Sequence, residues 1–567
     1  MSVLDWIILA LTLLTIVVYG IYKSRGNKNI DGYLLGNKSL PWYHVCLSVM
    51  ATQASAITFL SAPGLAYSTG LSFVQFYFGL PLAMIVLSIT FVPIFHKLKV
   101  YTAYEFLEKR FDFRTRALTA FLFLIQRGLS TGITIYAPSI ILSIILNVDT
   151  TYTTLFMGGI VIVYTVYGGT KAVSYTQLLQ MSIIFSGLFL AGVIVVQLLP
   201  DNIGFGKAIH IAGKMGRTNA IDFHFDWNNQ YNVWSGLIGG FFLQLSYFGT
   251  DQSQVGRYLA GSSVTQSRLG LLMNGIVKIP MQFLILLIGV LVFAFYQYNQ
   301  PPVFFNKYEL NKLEESPYKN ELNKIKQEYQ TVFEDKREHV NKLSDALDKE
   351  IEEEITQQRI EVKAADEKMK SLRQQTVALM EKNDPQADTN DNNYIFLSFV
   401  TKYLPRGLIG LLIAIIFLAS MGSTASALNS LTSTTVVDIY KRMIHKEGSE
   451  GNYLSASRWI TIGWGLVCIL MALYASQVGN LIEAVNILGS LFYGTILGIF
   501  IVAFYFKKLG GTATFISALI TEALVFLSWK ADLMAFLWLN VLGCFLVVIF
   551  AFLIQNIFIK KATLYKE

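Results

Sequence analysis

Apolar runs of about 20 residues recur along nearly the whole chain, each ended by a short polar or charged stretch; a helix of that length spans the ~30 Å hydrocarbon core of a bilayer. Thirteen such runs predict thirteen transmembrane helices, at roughly 3–22, 41–60, 69–95, 115–146, 152–168, 176–199, 232–251, 268–297, 405–435, 456–476, 481–506, 511–529 and 532–557. An odd number of spans puts the termini on opposite sides. One stretch breaks the apolar rule inside a span: Ser420–Thr435 (SMGSTASALNSLTSTT) carries nine hydroxyl side chains in sixteen positions. In hydrocarbon every polar group must find a partner, so hydroxyls at that density face other helices or a cavity. A second polar stretch, Ala51–Ser61 (ATQASAITFLS), is followed by Pro63 and Gly64. The two are expected to form one site, where a small cation or solute crosses the membrane.

Composition agrees: 53% hydrophobic residues, 15% charged and a mean hydropathy of +0.47 place the chain among polytopic helical membrane proteins and exclude a soluble enzyme. Lys23, Arg25, Lys28 and Lys38 follow the first span, and Lys97, Lys99, Lys109, Arg110 and Arg114 follow the third. Arg257, Arg268, Lys441, Arg442, Lys507, Lys508, Lys560 and Lys561 fall on the same side. Positive charge collects on the cytoplasmic face, so the N-terminus is expected outside and the C-terminus in the cytoplasm, in a plasma (inner) membrane. The first span has neither a basic leading region nor a small-residue cleavage pattern and is read as an uncleaved anchor. Cys46, Cys468 and Cys544 lie in or at the ends of spans and read as packing residues. The six histidines show no ligand spacing, and no GxxxxGK[ST] loop is present. The driving force is then an ion gradient, or there is none.

Residues 307–391 differ from the rest, with 15 Lys plus Arg against 21 Asp plus Glu; without them the chain holds 30 basic and 17 acidic residues. Leu322, Ile325 and Tyr329, then Val340, Leu343, Leu347, Ile351 and Ile355, recur at three- and four-residue steps, as in amphipathic helices with a coiled-coil tendency. The chain divides accordingly into residues 1–304 (spans one to eight), an extracytoplasmic acidic helical hairpin at 305–395, and residues 396–567 (spans nine to thirteen). The hairpin is either a decoration folded on itself or a docking arm for an extracytoplasmic protein partner through residues 307–391. Asp384–Asn393 (DPQADTNDNN) reads as a flexible return linker.

Four segments, in order, resemble the sodium/solute symporter family, which includes sodium/glucose cotransporters and bacterial sialic acid and proline symporters: YTAYEFLEKRFDFRTR (101–116), TVYGGTKAVSYTQLLQ (165–180), GTDQSQVGRYLAG (249–261) and SALNSLTSTTVVDIYKR (426–442). The resemblance covers about residues 1–300 and 400–510 and leaves the hairpin outside. It implies an all-α inverted-repeat core of five plus five helices, spans two to six and seven to eleven. Solute and sodium bind at its midplane, beside helices broken near Ala51–Ser55 and Gly249–Gln252. Carried over by motif, the sodium ligands are the carbonyls of Ala51, Ala54 and Ala419 and the hydroxyl of Ser423. Gly422 stands where relatives carry another hydroxyl, so one expected ligand is missing there. Gln177 takes the place of a carboxylate with which some relatives bind a second sodium, and Ala425 replaces a further hydroxyl. The resemblance thus implies one sodium per cycle.

For the solute the resemblance points two ways. Lys278 matches a sugar-contacting lysine, and Asp251 and Gln252 fall on an Asn-Gln pair of the same sugar transporters, which suggests a Lys278–Asp251 ion pair at the cavity edge. The glutamate those proteins use on span three is replaced, near Gln75 and Tyr77. Ser55 and Thr58 match hydroxyls that contact substrate in sialic acid symporters, and RGLSTGITIYAP (127–138) is similar to the same helix of the monocarboxylate, iodide and vitamin branch. Arg127 either holds a carboxylate bidentately or snorkels to the cytoplasmic interface. Glu483 and Glu522 are proton-linked sites or structural partners. The function implied is sodium-coupled import of a sugar, sialic acid or other carboxylate by alternating access, with no covalent chemistry. The partners are solute, sodium and membrane lipid, and no nucleic acid. A receptor that docks a partner through the hairpin, and an uncoupled facilitator, stay open as other classes of function.

Overall fold

The computed structural model describes residues 1–24, 39–98, 100–475 and 479–559. The basic residues Arg25, Lys28, Lys38, Lys99, Lys560 and Lys561 lie outside them. Every expected span is helical within the described residues, but the breaks do not respect the thirteen apolar runs. By length and composition nine described helices can cross a membrane, with shorter apolar helices at Val3–Ile16 and Thr150–Val166. The first run is α1 (Val3–Ser24), and the second is split into α2 (Trp42–Gln53) and α3 (Ala56–Thr69). A tight 3-10 segment, Gly70–Tyr77, leads into α4 (Leu80–Val86) and α5 (Val92–Leu98), joined by a wide turn at Leu87–Phe91.

After α6 (Glu105–Arg110), Asp112 accepts a hydrogen bond from the Thr115 amide and starts α7 (Phe113–Leu146). The fifth and sixth runs form one helical stretch, α8 (Thr150–Gln197). It turns back on itself, because Tyr164 Oη lies 3.0 Å from Thr176 Oγ1, whereas a straight helix would separate these residues by about 18 Å. Next come α9 (Phe205–Lys214), α10 (Gly240–Thr250), α11 (Gln252–Leu259) and α12 (Val264–Tyr298). The seventh run is therefore broken at Asp251, inside the expected interval.

The acidic insertion is α13 (Lys307–Glu314) followed by the hairpin of α14 (Lys319–Asp348) and α15 (Glu352–Asn383). Glu350 takes φ 53° in the connecting turn. Leu322, Tyr329, Phe333, Met369, Leu372 and Leu379 form its buried seam, which continues into Val303 and Phe304 at the end of span eight. The insertion is rooted in the membrane part through Val340 and Val362, which belong with Phe305 to the main buried core. The return linker is not free: Asp388 accepts a hydrogen bond from Tyr394 Oη at 2.5 Å, and Asp391 accepts from the Phe305 amide at 2.6 Å and pairs with Arg373. Asn392 accepts from Ser68 Oγ at 2.6 Å, and Gly64 lies so close that a Cβ there would meet the Asn392 carbonyl at 1.8 Å. Carboxylates and amides that read as linker polarity serve as acceptors for buried donors.

The chain re-enters the bundle through α16 (Asn392–Tyr403), a buried helix ahead of span nine that the apolar pattern did not mark, and then α17 (Leu408–Thr434). α18 (Glu450–Leu473), α19 (Leu481–Tyr505), α20 (Gly511–Lys530) and α21 (Phe536–Leu553) follow. α17 is buried along nearly its whole length, and Asp5 of α1 accepts from the Gly407 and Gly410 amides at its start, satisfying donors that a helix N-terminus leaves open.

At the other end, two of the motif segments meet. Arg116 donates to Asp438 at 2.7 Å and to Glu108 at 2.7 Å, Arg442 donates to Glu108 at 2.6 Å, and Thr102 donates to Asp438 at 2.9 Å. Burial raises the Glu108 carboxyl, but hydrogen bonds and charge from Arg442 and Arg116 outweigh this and hold it below the usual glutamate range. A carboxyl depressed in the folded state contributes its stability above the unfolded value of about 4.3 and loses it as pH falls through the folded value. Thermal midpoints of wild type and Glu108→Gln should therefore differ most at neutral pH and converge below pH ~4; a gap that persists in acid would remove Glu108 from the clamp.

Candidate functional site

The break between α2 and α3 sits at Ala54 (ψ 83°) and Ser55 (ψ 175°), both outside helical geometry. In a continuous helix the amides of Ser55 and Thr58 would close on the carbonyls of Ala51 and Ala54. Here the Ser55 amide bonds Gln53 O at 3.0 Å and the Thr58 amide bonds Ser55 O at 3.0 Å. Both carbonyls thus lose their helical partner at membrane depth, where an unsatisfied oxygen is costly. Across from them runs the hydroxyl-rich face of α17. Ser423 Oγ contacts the Ala419 carbonyl at 2.9 Å and the Ser420 carbonyl at 3.1 Å, while Thr52 Oγ1 reaches Ser426 Oγ at 3.4 Å. Neutral oxygens of this kind suit a hard monovalent cation. Among the described residues no group of three His, Cys, Asp or Glu side chains offers an alternative metal site.

At Gly422, where relatives carry a hydroxyl, a Cβ would stand 2.7 Å from Gln180 Oε1, so a side chain there needs the Gln180 amide to shift. Gln177 fills the space beside it. Its Oε1 accepts from Ser48 Oγ at 2.7 Å, and its Nε2 lies 3.1 Å from Ser426 Oγ and 3.4 Å from both Thr52 Oγ1 and the Gly422 carbonyl. The amide nitrogen thus carries its own partial positive charge into a ring of three oxygens from α2 and α17.

Above this interface lies a cavity with about 770 Å³ of empty space including its mouth, lined by Ser55, Thr58, Arg127 and Ser423 among the expected residues. Gln53, Gln126, Thr134, Tyr247, Asn486 and Tyr493 complete its polar wall, and sequence reasoning did not single them out. A tyrosine such as Tyr493, in the middle of an apolar run, carries no local signal of a cavity. Arg127 pairs with Asp251, and Tyr493 Oη donates to the same carboxylate at 2.9 Å. Arg127 is therefore drawn into the bundle rather than out to an interface, because Asp251 at the helix break offers it a counter-ion.

Three expected solute residues stand elsewhere. Gln75 is buried beneath the loop that holds Asp222 and Tyr231, donating to Tyr231 O at 2.7 Å and accepting from the Asp222 amide at 2.9 Å. Gln252 accepts from the Ala103 amide at 3.0 Å and donates to Tyr101 O at 2.8 Å. Lys278 does not pair with Asp251, whose place is taken by Arg127; its Nζ has no hydrogen-bond acceptor among the described residues and lies 5.7 Å from the centre of the Tyr77 ring, behind the cavity wall. Glu483 accepts from Gln230 and Tyr231, which makes it a structural partner, and both Glu522 oxygens lack one among the described residues. A buried ammonium without an acceptor weighs against the folded state. Lys278→Met, which keeps the apolar stem, should leave the thermal midpoint unchanged or raise it. A fall of several degrees would reveal an acceptor in solution.

Two broken helices facing a hydroxyl-lined helix across a polar cavity define a membrane transporter with its binding site at mid-depth. The sequence matches the profile described as the Sodium:solute symporter family over residues 33–304 and 374–521, and the chain belongs to that family. The gap in the match, residues 305–373, falls on α13, α14 and the first two thirds of α15. The chain is 26% identical over 512 residues to the sodium-dependent multivitamin transporter of Oryctolagus cuniculus, covering 89% of this chain and 67% of the relative. It is 25% identical to the sodium/glucose cotransporter of Vibrio parahaemolyticus (90% and 82% covered) and 23% identical to the sodium/sialic acid symporter of Aliivibrio fischeri (98% and 93%). The fold is that of a solved sodium-coupled sialic acid symporter, with a TM-score of 0.75 at 20% identity over 98% of both chains.

Proposed function

We propose that this protein imports a small organic solute together with sodium, by alternating access and without covalent chemistry. The observation that carries the reading is the break at Ala54–Ser55, which strips the Ala51 and Ala54 carbonyls of their helical amides beside a cavity that Ser55 and Ser423 both line. A sodium ion between them supplies what the break removed. It binds best when α2–α3 and α17 are close together, so it selects the conformation in which the cavity is complete for the solute. Separation of α17 from α2 toward the cytoplasm then releases both. In this reading the N-terminus and the hairpin are extracytoplasmic, the C-terminus is cytoplasmic, and the insertion is a decoration rooted on its own membrane part.

The solute meets Ser55, Thr58 and Arg127, with Tyr247, Asn486 and Tyr493 opposite. Gly422 contributes space and Gln177 a neutral amide, which supports one sodium per cycle. Ser423→Ala should raise the sodium concentration for half-maximal uptake about tenfold, equivalent to about 1.4 kcal/mol, in proteoliposomes with a sodium gradient. An unchanged sodium dependence removes Ser423 from the ligand set. Gln177→Glu places a carboxylate among the oxygens of Thr52, Gly422 and Ser426 and should lift the sodium Hill coefficient from near one toward two. A coefficient already near two in the wild type would refute the single-sodium reading.

A further inference from the structure

Arg127 and Asp251 do not share the cavity equally. Arg127 lines it with 11% of its side chain exposed, whereas the Asp251 side chain is at 0%, behind it. Asp251 is satisfied without the arginine: Oδ1 accepts from the Ser253 amide at 2.8 Å and Ser253 Oγ at 2.6 Å, and Oδ2 accepts from Tyr493 Oη at 2.9 Å. It also caps α11, where the helix dipole favours a negative charge. Arg127 is not satisfied to the same degree. Its Nε is buried with no hydrogen-bond partner among the described residues, although a guanidinium offers five donors. Apolar side chains of Ile57, Phe76, Leu243, Ile482 and Val485 line the cavity as well, room for a carbon skeleton and not only for an ion.

We infer that the co-transported solute carries a carboxylate that docks on Arg127, and that Asp251 is a positioning residue which tempers that attraction from behind. The inference rests on reading this cavity as the solute site. Charge in a closed, low-dielectric cavity supports it. Arg127 and Asp251 cancel, so sodium with a neutral solute would leave one uncompensated positive charge, whereas sodium with a monocarboxylate leaves none. The Asp251 carboxylate keeps the guanidinium in place when the cavity is empty, and its other donors let it yield Arg127 to an incoming anion at small cost.

The test uses purified full-length protein, with thermal midpoints recorded in sodium and in potassium chloride against lactate, N-acetylneuraminate, lactamide, galactose and iodide. A ligand that binds only the native state raises the midpoint by mass action. At least one of the two carboxylates should raise it in sodium, while lactamide and galactose do not. Arg127→Gln should lose the carboxylate response yet keep the shift produced by sodium alone, which shows that the variant is folded. Asp251→Asn should lower the half-saturating carboxylate concentration severalfold, and Ser253→Ala, which removes a donor from Asp251 and tightens its hold on Arg127, should raise it. A response to galactose or iodide with none to either carboxylate, silence to both carboxylates, or an undiminished carboxylate response in Arg127→Gln overturns the inference and leaves sodium coupling standing. Absence of any sodium shift in the wild type would instead bring down the sodium-site reading.

Discussion

A backbone carbonyl that lacks its amide inside a bilayer has no water to turn to, and this constraint organises the rest of the molecule. At Ala54–Ser55 two such carbonyls, those of Ala51 and Ala54, face an interface built from hydroxyls rather than leucines. A regular helix would have consumed these oxygens, and an apolar α17 would have left them stranded. The break and the hydroxyl-rich helix therefore meet oxygen to oxygen, and in the proposed reading a sodium ion between them makes the two halves cohere. The break in the second repeat follows the same rule with a different remedy, since at Asp251 the interrupted helix is capped by a carboxylate that in turn anchors Arg127.

Around this centre the two ends of the bundle are held by polar contacts of different character. One end has a compact set of charges in which Glu108 bridges Arg116 and Arg442, tying α6 and α7 to the segment after α17. The other end carries the acidic hairpin, whose root reaches α3 through Asn392 and Ser68. Surface ion pairs such as Lys207–Asp348 add little to that attachment. Burial of Val340 and Val362 in the main core does more, because buried apolar area is not screened.

Much of the site was legible in the chain. Hydroxyls at Ser420–Thr435 have no reason to exist on a lipid-facing helix, and the polar stretch at Ala51–Ser61 with its nearby Pro63 marks a weak helix, so both halves of the candidate site were visible as exceptions to the apolar rule. What was not legible is pairing at a distance. Lys278 and Arg127 are equally conspicuous as cations in apolar runs, and the motif resemblance assigns Asp251 to Lys278. Only the packing of α7 against the broken helix gives Asp251 to Arg127 and leaves Lys278 behind Tyr77. Gln75 reads as a cavity residue by its position on span three, but it lies in a 3-10 segment beneath the loop of Asp222 and Tyr231, where two backbone groups claim it.

The sequence by itself determined that the chain crosses the membrane many times, that two helices are interrupted, that a helical acidic insertion separates spans eight and nine, and which family it belongs to. These follow from local quantities: run length, hydroxyl density, charge density and motif spacing are all written along the chain. Tertiary structure alone decided what surrounds Gln177 and Gly422, which cation meets Asp251, and that the return linker is pinned. Each of these depends on atoms from segments far apart in the chain brought within hydrogen-bonding distance, and no periodicity along one segment encodes that distance.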